Sequence, residues 1–238
     1  MTAIKASGLS KSYGKTTAVD ELDLEIEKGE LFALLGVNGA GKTTTIKMLS
    51  CLSRPTLGDA WLLGDSIVTA PAAVKKKTNV SPQETAVAKR LSVRDNLIMM
   101  ARIYGASKKD AAQTAEEMIK EFSLEDKADK RAATLSGGQQ RRLSIALALI
   151  SRPEILFLDE PTLGLDVLAR RELWDIINAL KGSTTIILTT HYMEEAEALA
   201  DRIGIMQAGR LRAVGTAKEL MEMTGAVRFE DAFVSLAR

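Results

Sequence analysis

The chain has 238 residues, of which 46% are hydrophobic and 26% are charged, so it can form one large domain and does not have a disordered or fibrous composition. Its 32 Lys and Arg residues against 31 Asp and Glu residues give a net charge of +1, which provides no electrostatic reason to expect nucleic-acid binding. The single cysteine, Cys51, excludes an internal disulfide, and the apolar stretches are too short to predict a membrane span.

The first predicted elements are a strand, a second strand, a glycine-rich loop and a helix. Residues 18–27 include alternating apolar and acidic side chains, which is the period of a half-buried strand. Residues 31–35 are all apolar, which predicts a strand covered on both faces. Glycines follow, and residues 43–52 then have helical character. The glycine-rich turn is therefore expected at the carboxyl end of a buried strand.

The middle of the chain predicts turns and then helices. Residues 54–64 indicate turns around a short strand, and residues 75–89 are polar and predict irregular structure. Ser92 with Asp95 resembles a capping box, so we expect a helix from there to Tyr104. Residues 108–122 have apolar side chains at helical spacing. The segment 81–130 is therefore expected to be a mostly helical lobe inserted in the chain.

The second half of the chain alternates helices and strands. The predicted helices are 137–150, 166–180, 193–200 and 216–223, and the predicted strands are 155–158 and 184–190, followed by a hairpin of 203–206 and 211–214. Strands that alternate with helices predict a largely parallel, doubly wound α/β sheet.

A motif for binding phosphate follows the first buried strand. Residues 36–43 match the pattern G-x-x-x-x-G-K-[ST], in which glycines let successive backbone N–H groups converge on phosphate oxygens. The lysine adds a positive charge, the threonine hydroxyl can bind Mg²⁺, and the helix adds the positive end of its dipole. The predicted phosphate-binding loop consists of Gly36, Val37, Asn38, Gly39, Ala40, Gly41, Lys42, Thr43 and Thr44.

Two acidic residues end the second buried strand, since Asp159 and Glu160 follow the apolar residues 155–158. A strand end beside a phosphate loop places Asp159 toward a metal ion. Glu160 can then polarise a water molecule aimed at the γ-phosphate. An acidic turn alone is common, but the two features together predict binding of a nucleoside triphosphate.

A third motif indicates the kind of protein. Residues 135–139 read Leu-Ser-Gly-Gly-Gln and lie between the phosphate loop and the acidic strand end. With this signature motif the sequence resembles the ATP-binding subunits of ABC transporters. A serine and two glycines at a helix N-terminus form a second anion site. The resemblance implies that this site closes over ATP held by the phosphate loop of another subunit, and its residues are Ser136, Gly137, Gly138 and Gln139.

The resemblance implies roles for further residues. Tyr13 matches the aromatic residue that stacks on adenine, and Gln83 matches the glutamine loop, which contacts Mg²⁺ and the attacking water. Asp166 matches the loop that links the two ATP sites across the dimer. His191, the only histidine, matches the switch histidine at the γ-phosphate. The implied catalytic residues are Glu160, His191 and Gln83, and the implied metal ligands are Thr43, Gln83 and Asp159.

The implied fold is α/β, a P-loop NTPase core with a mostly parallel sheet, an N-terminal antiparallel β region and an inserted helical subdomain. We expect one domain over residues 1–238, with the helical subdomain at about 84–150 and a short C-terminal extension at about 216–238. The implied ligands are ATP and Mg²⁺. The implied partners are a second ATPase subunit, in a homodimer, and a separate transmembrane permease, which would hold the chain at the cytoplasmic face of the cell membrane. No nucleic-acid partner is expected.

The direction of transport is inferred from the C-terminal third of the chain. Residues 190–197 and 229–233 resemble drug- and ion-exporter ATPases of bacteria and archaea. Importer subunits commonly carry a longer C-terminal domain, whereas only 22 residues follow residue 216, where the last predicted helix begins. We expect export of a drug, lipid or ion. An importer subunit is the alternative, and a soluble ABC ATPase with no role in transport is a further one, disfavoured by the balanced charge.

Overall fold

Two β-sheets and nine α-helices make up the chain, and the computed structural model describes all residues 1–238. In chain order the elements are β1 (Thr2–Tyr13), β2 (Thr16–Glu27), β3 (Leu31–Leu35), α1 (Lys42–Leu49), β4 (Leu57–Leu62), β5 (Asp65–Ser66), α2 (Pro71–Lys77), β6 (Thr78–Ser81), α3 (Val93–Ile103), α4 (Lys108–Glu121), α5 (Gly137–Leu149), β7 (Ile155–Asp159), α6 (Val167–Ala179), β8 (Thr185–Thr190), α7 (Met193–Leu199), β9 (Arg202–Gln207), β10 (Arg210–Gly215), α8 (Ala217–Thr224) and α9 (Phe229–Leu236). None of these helices has both the length and the apolar content needed to cross a lipid bilayer.

The six-stranded sheet positions the predicted site. Its strand order is β10-β9-β3-β8-β7-β6, and every neighbouring pair is parallel except β9 with β10. The four-stranded sheet is antiparallel, with the order β2-β1-β4-β5. The predicted fold class is therefore confirmed. Because parallel strands end at the same edge of a sheet, the residues that follow β3, β7 and β8 come together there.

The central strands are covered on both faces by separate apolar clusters. In β3, Leu31, Ala33 and Leu35 belong to the cluster that includes α5, α6 and α7. Phe32 and Leu34 belong to the cluster formed with the antiparallel sheet and α1. This two-sided burial explains why residues 31–35 are uniformly apolar, and it confirms the predicted buried strand.

Helices α3 and α4 both begin at a serine that caps them. The Oγ of Ser92 accepts a hydrogen bond from the N–H of Asp95, and the Oγ of Ser107 accepts one from the N–H of Asp110. The predicted helix start at Ser92 is therefore confirmed. The two helices pack against each other, and α3 also packs against α5. The subdomain boundaries at about 84–150 stay a prediction.

The prediction of irregular structure over residues 75–89 is wrong at its start. Helix α2 ends at Lys77, and β6 follows at once as an edge strand paired with β7. With only four residues, β6 depends on its hydrogen bonds to β7 and not on a periodic pattern of its own. Four further elements, β1, β5, α9 and most of α2, have no individual prediction from the sequence.

Candidate active site

The loop between β3 and α1 requires its glycines for two different reasons. Gly39 and Gly41 have φ angles of 82° and 105°, in the left-handed region that other residues rarely adopt. Gly36 has no room for a side chain, because a Cβ there would lie 2.3 Å from the backbone oxygen of Met206 in β9. The glycines of the predicted phosphate loop thus allow both the turn and the close approach of the neighbouring strand.

The ammonium group of Lys42 lies within this loop and is buried. Its Nζ donates hydrogen bonds to the carbonyl oxygens of Gly36, at 2.7 Å, and of Val37, at 3.2 Å. It also lies 3.2 Å from Oε1 of Glu160. Val37 contributes only its backbone to these contacts, and its side chain is exposed. A buried positive charge with a single acidic partner is well suited to receive an anion.

Two threonine hydroxyls converge on Asp159 at the end of β7. Thr43 in α1 donates a hydrogen bond from Oγ1 to Oδ1 of Asp159 at 3.0 Å, and Thr189 in β8 donates to the same oxygen at 2.6 Å. Hydroxyl and carboxylate oxygens suit Mg²⁺, which usually completes its coordination with substrate phosphates and water. Thr43 and Asp159 therefore fit a Mg²⁺ ion that arrives with a nucleotide. No group of three His, Cys, Asp or Glu side chains is placed to hold a metal by itself.

Glu160 has a strained backbone and two close side-chain partners. Its φ angle is 48°, a left-handed conformation that is unfavourable for a residue with a side chain. The Glu160 N–H donates to the carbonyl oxygen of Thr189 at 3.1 Å and to its Oγ1 at 3.0 Å. Its Oε2 lies 2.6 Å from Nδ1 of His191, opposite the side that faces Lys42. The carboxylate is therefore held between an ammonium and an imidazole.

A cavity of about 490 Å³ opens between these groups. Tyr13 lies at its edge, half-exposed, with the Nζ of Lys11 5.1 Å from the centre of its ring. The cavity is lined by Tyr13, Ala18, Asn38, Gly39, Ala40, Gly41, Lys42, Thr43, Thr44, Gln83, Glu160, Leu163 and His191. The structure thus brings together the predicted adenine-stacking residue, most of the phosphate loop, the glutamine-loop residue and both predicted catalytic side chains from β7 and β8.

The predicted signature residues do not line this cavity. Ser136 caps α5, because its Oγ accepts a hydrogen bond from the N–H of Gln139 while the Gln139 side chain accepts one from the Ser136 N–H. Gly138 faces α6, where a Cβ would lie 2.9 Å from that of Ala169. Asp166 caps α6 by accepting a hydrogen bond from the N–H of Ala169 at 2.9 Å. Within one chain, these residues form helix ends that are separate from the nucleotide-sized cavity.

Two buried charged residues near the site are missing from the sequence-based set. Arg141 in α5 is buried, and burial lowers the pKa of its guanidinium to about 10, which leaves it positively charged near neutral pH. Glu195 in α7 is fully buried, and burial raises the pKa of its carboxyl group. Its Oε1 accepts a hydrogen bond from Nε1 of Trp174 at 3.2 Å, and its Oε2 has no partner. The available signal for Arg141 is its spacing, because Ser144 and Ala148 continue its helix face and are buried.

Comparison of the sequence and fold with known proteins shows the family of this chain. A family model described as "ABC transporter" matches residues 19–163. The daunorubicin/doxorubicin resistance ATP-binding protein DrrA of Streptomyces peucetius is 45% identical over 224 residues, which are 94% of this chain and 68% of that protein. A solved structure described as the ATP-binding subunit of an ABC transporter aligns over 100% of both chains, with a TM-score of 0.87 and 28% identity. A dimeric ATP-binding cassette in a post-hydrolysis state, bound to ADP and Pi, has the same fold, with a TM-score of 0.81 at 24% identity over 90% of this chain and 98% of that one.

Proposed function

This chain belongs to the ABC transporter family of ATP-binding proteins, and from that membership we propose that it is the ATP-hydrolysing subunit of an exporter, working as a dimer with a separate transmembrane permease. The family assignment and the ATP hydrolase activity follow from the matches over most of the chain. The roles of individual residues, the Mg²⁺ site, the homodimer and the cytoplasmic position at the membrane are parts of the proposal.

One observation carries the dimer. The cavity beside the phosphate loop is lined by residues from many parts of the chain, from Tyr13 to His191, but the capped start of α5 at Ser136 lies outside it. A helix N-terminus with a serine and two glycines is an anion-binding feature that the chain's own nucleotide does not occupy. Two copies arranged head to tail would place each Ser136 over the phosphates held by the other copy. ATP then joins the subunits by supplying negative charge between two electropositive surfaces.

The cavity residues suit binding of ATP by its base and its phosphates. Tyr13 stacks on adenine with the face of its ring that Lys11 leaves free. Lys42 exchanges its contacts with Glu160 and the loop carbonyls for phosphate oxygens. Thr43 and Asp159 hold Mg²⁺, with Gln83 at the same cavity. When bound, this ion supplies charge neutralisation at the β- and γ-phosphates.

Glu160 and His191 suit the hydrolytic step. A water oxygen forms a bond to the γ-phosphorus, the bond from that phosphorus to the bridging oxygen of ADP breaks, and the water proton moves to Glu160. His191 orients the Glu160 carboxylate through the 2.6 Å contact to its Oε2. Loss of the γ-phosphate removes the charge that joins the subunits, and the dimer opens.

The Glu160→Gln variant tests this assignment. Glutamine keeps the shape of the side chain but cannot accept the water proton, so steady-state phosphate release should fall by about 10²-fold or more while Mg-ATP still binds. Glu154→Gln is the matched control, because Glu154 lies at the other end of β7, where its exposed carboxylate pairs with Lys28 at 3.1 Å. Turnover by Glu160→Gln at the rate of Glu154→Gln would refute the catalytic role.

A groove beside the glutamine loop suits the permease. It has a volume of about 420 Å³ and is lined by Ser50, Leu52, Lys75, Thr78, Asn79, Val80, Pro82, Ala86 and Tyr104. Leu52 and Tyr104 are 64% and 51% exposed, so the groove offers apolar surface to a partner. Pro82 and Ala86 flank the loop that brings Gln83 to the nucleotide cavity. We assign this groove to a cytoplasmic helix of the permease. Binding of that helix would shift the loop that carries Gln83 and so change its position at the bound nucleotide.

The relatives favour export over import. The similar protein from Streptomyces peucetius is named for resistance to daunorubicin and doxorubicin. Removal of a compound from the cell is the way in which a transport ATPase confers resistance to it, so this similarity supports an exporter for a drug or another amphipathic molecule. Co-expression with a candidate permease from a neighbouring reading frame, followed by ATP-dependent transport in inverted vesicles, tests the direction. Uptake into the vesicle lumen supports export, and release from preloaded vesicles would refute it.

A further inference from the structure

The guanidinium of Arg141 joins two loops of the site through backbone oxygens alone. Its Nε donates to the carbonyl oxygen of Pro161 at 2.7 Å, and its Nη2 donates to that of Asp159 at 2.8 Å. Its Nη1 donates to the carbonyl oxygens of Pro82, at 2.5 Å, and Gln83, at 3.3 Å. A planar group with five N–H donors can satisfy acceptors on two sides at once, which a lysine ammonium cannot reproduce.

The first two of these oxygens lie on either side of Glu160. That residue has a φ angle of 48°, a left-handed conformation that is unfavourable for a residue with a side chain. Arg141 holds the carbonyl before Glu160 and the carbonyl after the next peptide bond, so it opposes relaxation of this conformation. The conformation in turn directs the carboxylate to Lys42 and His191. Arg141 therefore helps to orient the carboxylate of Glu160, the proposed general base, although Arg141 does not line the cavity.

The other two oxygens belong to the loop that carries Gln83. This loop borders the nucleotide cavity on one side, and its flanking residues line the groove assigned to the permease on the other. Arg141 itself lies in α5, five residues after the serine that caps the helix. The Arg141 side chain thus links the signature-motif helix to which it belongs with the glutamine loop and with the strand end that bears Glu160.

We propose that Arg141 is a positioning residue that sets the backbone of Glu160 and of the glutamine loop together, so that a displacement of the signature helix or of that loop changes the orientation of Glu160. The proposal rests on the catalytic role proposed above for Glu160. Arg141 does not contact the phosphate loop, where Lys42 and Thr43 make their own contacts. A positioning role therefore predicts slower turnover with unchanged nucleotide affinity, whereas a purely structural role predicts loss of both.

Two substitutions separate these roles. Arg141→Lys keeps the charge but can reach only one pair of carbonyls, and Arg141→Met removes every donor at similar length. Misplacement of a catalytic group by about 1 Å can cost about 10²-fold in rate, so we expect kcat to fall by about tenfold for Arg141→Lys and about 10²-fold for Arg141→Met. The Kd for Mg-ATP, measured by calorimetry, should stay within about threefold of the parent's. A tenfold change in Kd would correspond to about 1.4 kcal/mol of binding free energy.

The neighbouring residue gives a matched control. Arg142 follows in the same helix, and its Nη1 lies 3.4 Å from the exposed carboxylate of Glu172. Arg142→Lys and Arg142→Met should keep kcat within about twofold, because Arg142 makes its ion pair with Glu172 and donates no hydrogen bond to the glutamine loop or to the strand end that bears Glu160. The variants are measured as purified full-length chains beside Glu160→Gln. If Glu160→Gln hydrolyses ATP normally, the proposed function fails, and if it is impaired while Arg141→Met is normal, only the present inference fails.

The decisive pattern is kcat falling in the order Arg, Lys, Met at a constant Kd. Arg141→Met turning over within about threefold of the parent would overturn the inference. A parallel loss of affinity and turnover in Arg141→Lys, or failure of that milder variant to fold, would also overturn it, because Arg141 would then be a structural residue only.

Discussion

Gly138 in α5 and Ala169 in α6 approach so closely that one added methyl group should force the helices apart. A Cβ at Gly138 would lie 2.9 Å from the Cβ of Ala169. Contacting carbon atoms are ordinarily about 3.5–4.0 Å apart, so the helices must separate by roughly 0.6–1 Å. Overpacking of this kind costs about 1–3 kcal/mol of the free energy of unfolding. We therefore expect Gly138→Ala to destabilise the protein, although alanine favours helix more than glycine does.

The second substitution, Ala169→Gly, removes the opposing methyl group. Alone it should cost about 0.5–1 kcal/mol, as glycine usually does within a helix. It keeps the N–H that donates to Asp166. In the double variant the clash is absent, so its stability should be within about 1 kcal/mol of the parent's, with a coupling between the two changes of about 1–3 kcal/mol. Urea-induced unfolding of the four proteins, followed by circular dichroism, measures this coupling.

The same cycle has a functional side, because Gly138 belongs to the signature motif. Gly138→Ala should lower ATP turnover by displacing the start of α5, and Ala169→Gly should restore it. Free energies that add to within about 0.5 kcal/mol, with no recovery in the double variant, would show that the 2.9 Å approach does not control this contact.

Three further predictions concern single side chains. Thr189→Val removes the hydroxyl that bonds Asp159 and the Glu160 N–H, so stability should fall by about 1.5–3 kcal/mol in urea titrations, and Thr189→Ser should lose less. Glu195→Gln should stabilise the fold at high pH, because burial raises the pKa of Glu195 and the parent therefore loses stability as pH rises from the ordinary glutamate pKa through the folded-state value. The difference in unfolding free energy between the variant and the parent should grow between pH 5 and pH 8, and a difference that shrinks would contradict this. Tyr13→Ala should raise the Kd for Mg-ATP about tenfold through lost stacking, while Tyr13→Phe and Tyr104→Ala should leave it unchanged in calorimetry.

Much of the placement of the candidate site's residues could be predicted, because these residues lie in short contiguous motifs. The phosphate loop, the pair Asp159 and Glu160, and His191 each follow an apolar strand, and parallel strands deliver such residues to one edge. The glycines of the loop also predict its backbone conformation, since Gly39 and Gly41 adopt the positive φ angles that glycine favours. Local rules were sufficient wherever the residue and its partner are set by the same strand end.

The residues that sequence reasoning missed act between elements that are distant along the chain. In the sequence Thr189 is indistinguishable from the other β-branched residues of a buried strand. Only the pairing of β8 with β7 brings its hydroxyl to Asp159. Arg141 bonds carbonyls 18 to 59 residues away, and those positions are fixed by tertiary packing. Strand β6 was missed for the same reason, because its pairing with β7 determines it. Long-range packing overrides local pattern in all three cases.

We propose that two copies of this chain share their nucleotides across a head-to-tail interface. The most direct test is the mass of Glu160→Gln in solution, measured by light scattering after gel filtration with Mg-ATP or Mg-ADP. Ser136→Asp, added to Glu160→Gln, is the matched control, because aspartate keeps the helix cap but repels phosphate. We expect twice the 25.7 kDa mass of one chain with Mg-ATP only, and a monomer once Ser136→Asp is added. A monomer with Mg-ATP at saturating nucleotide, or a dimer that Ser136→Asp leaves intact, would contradict it.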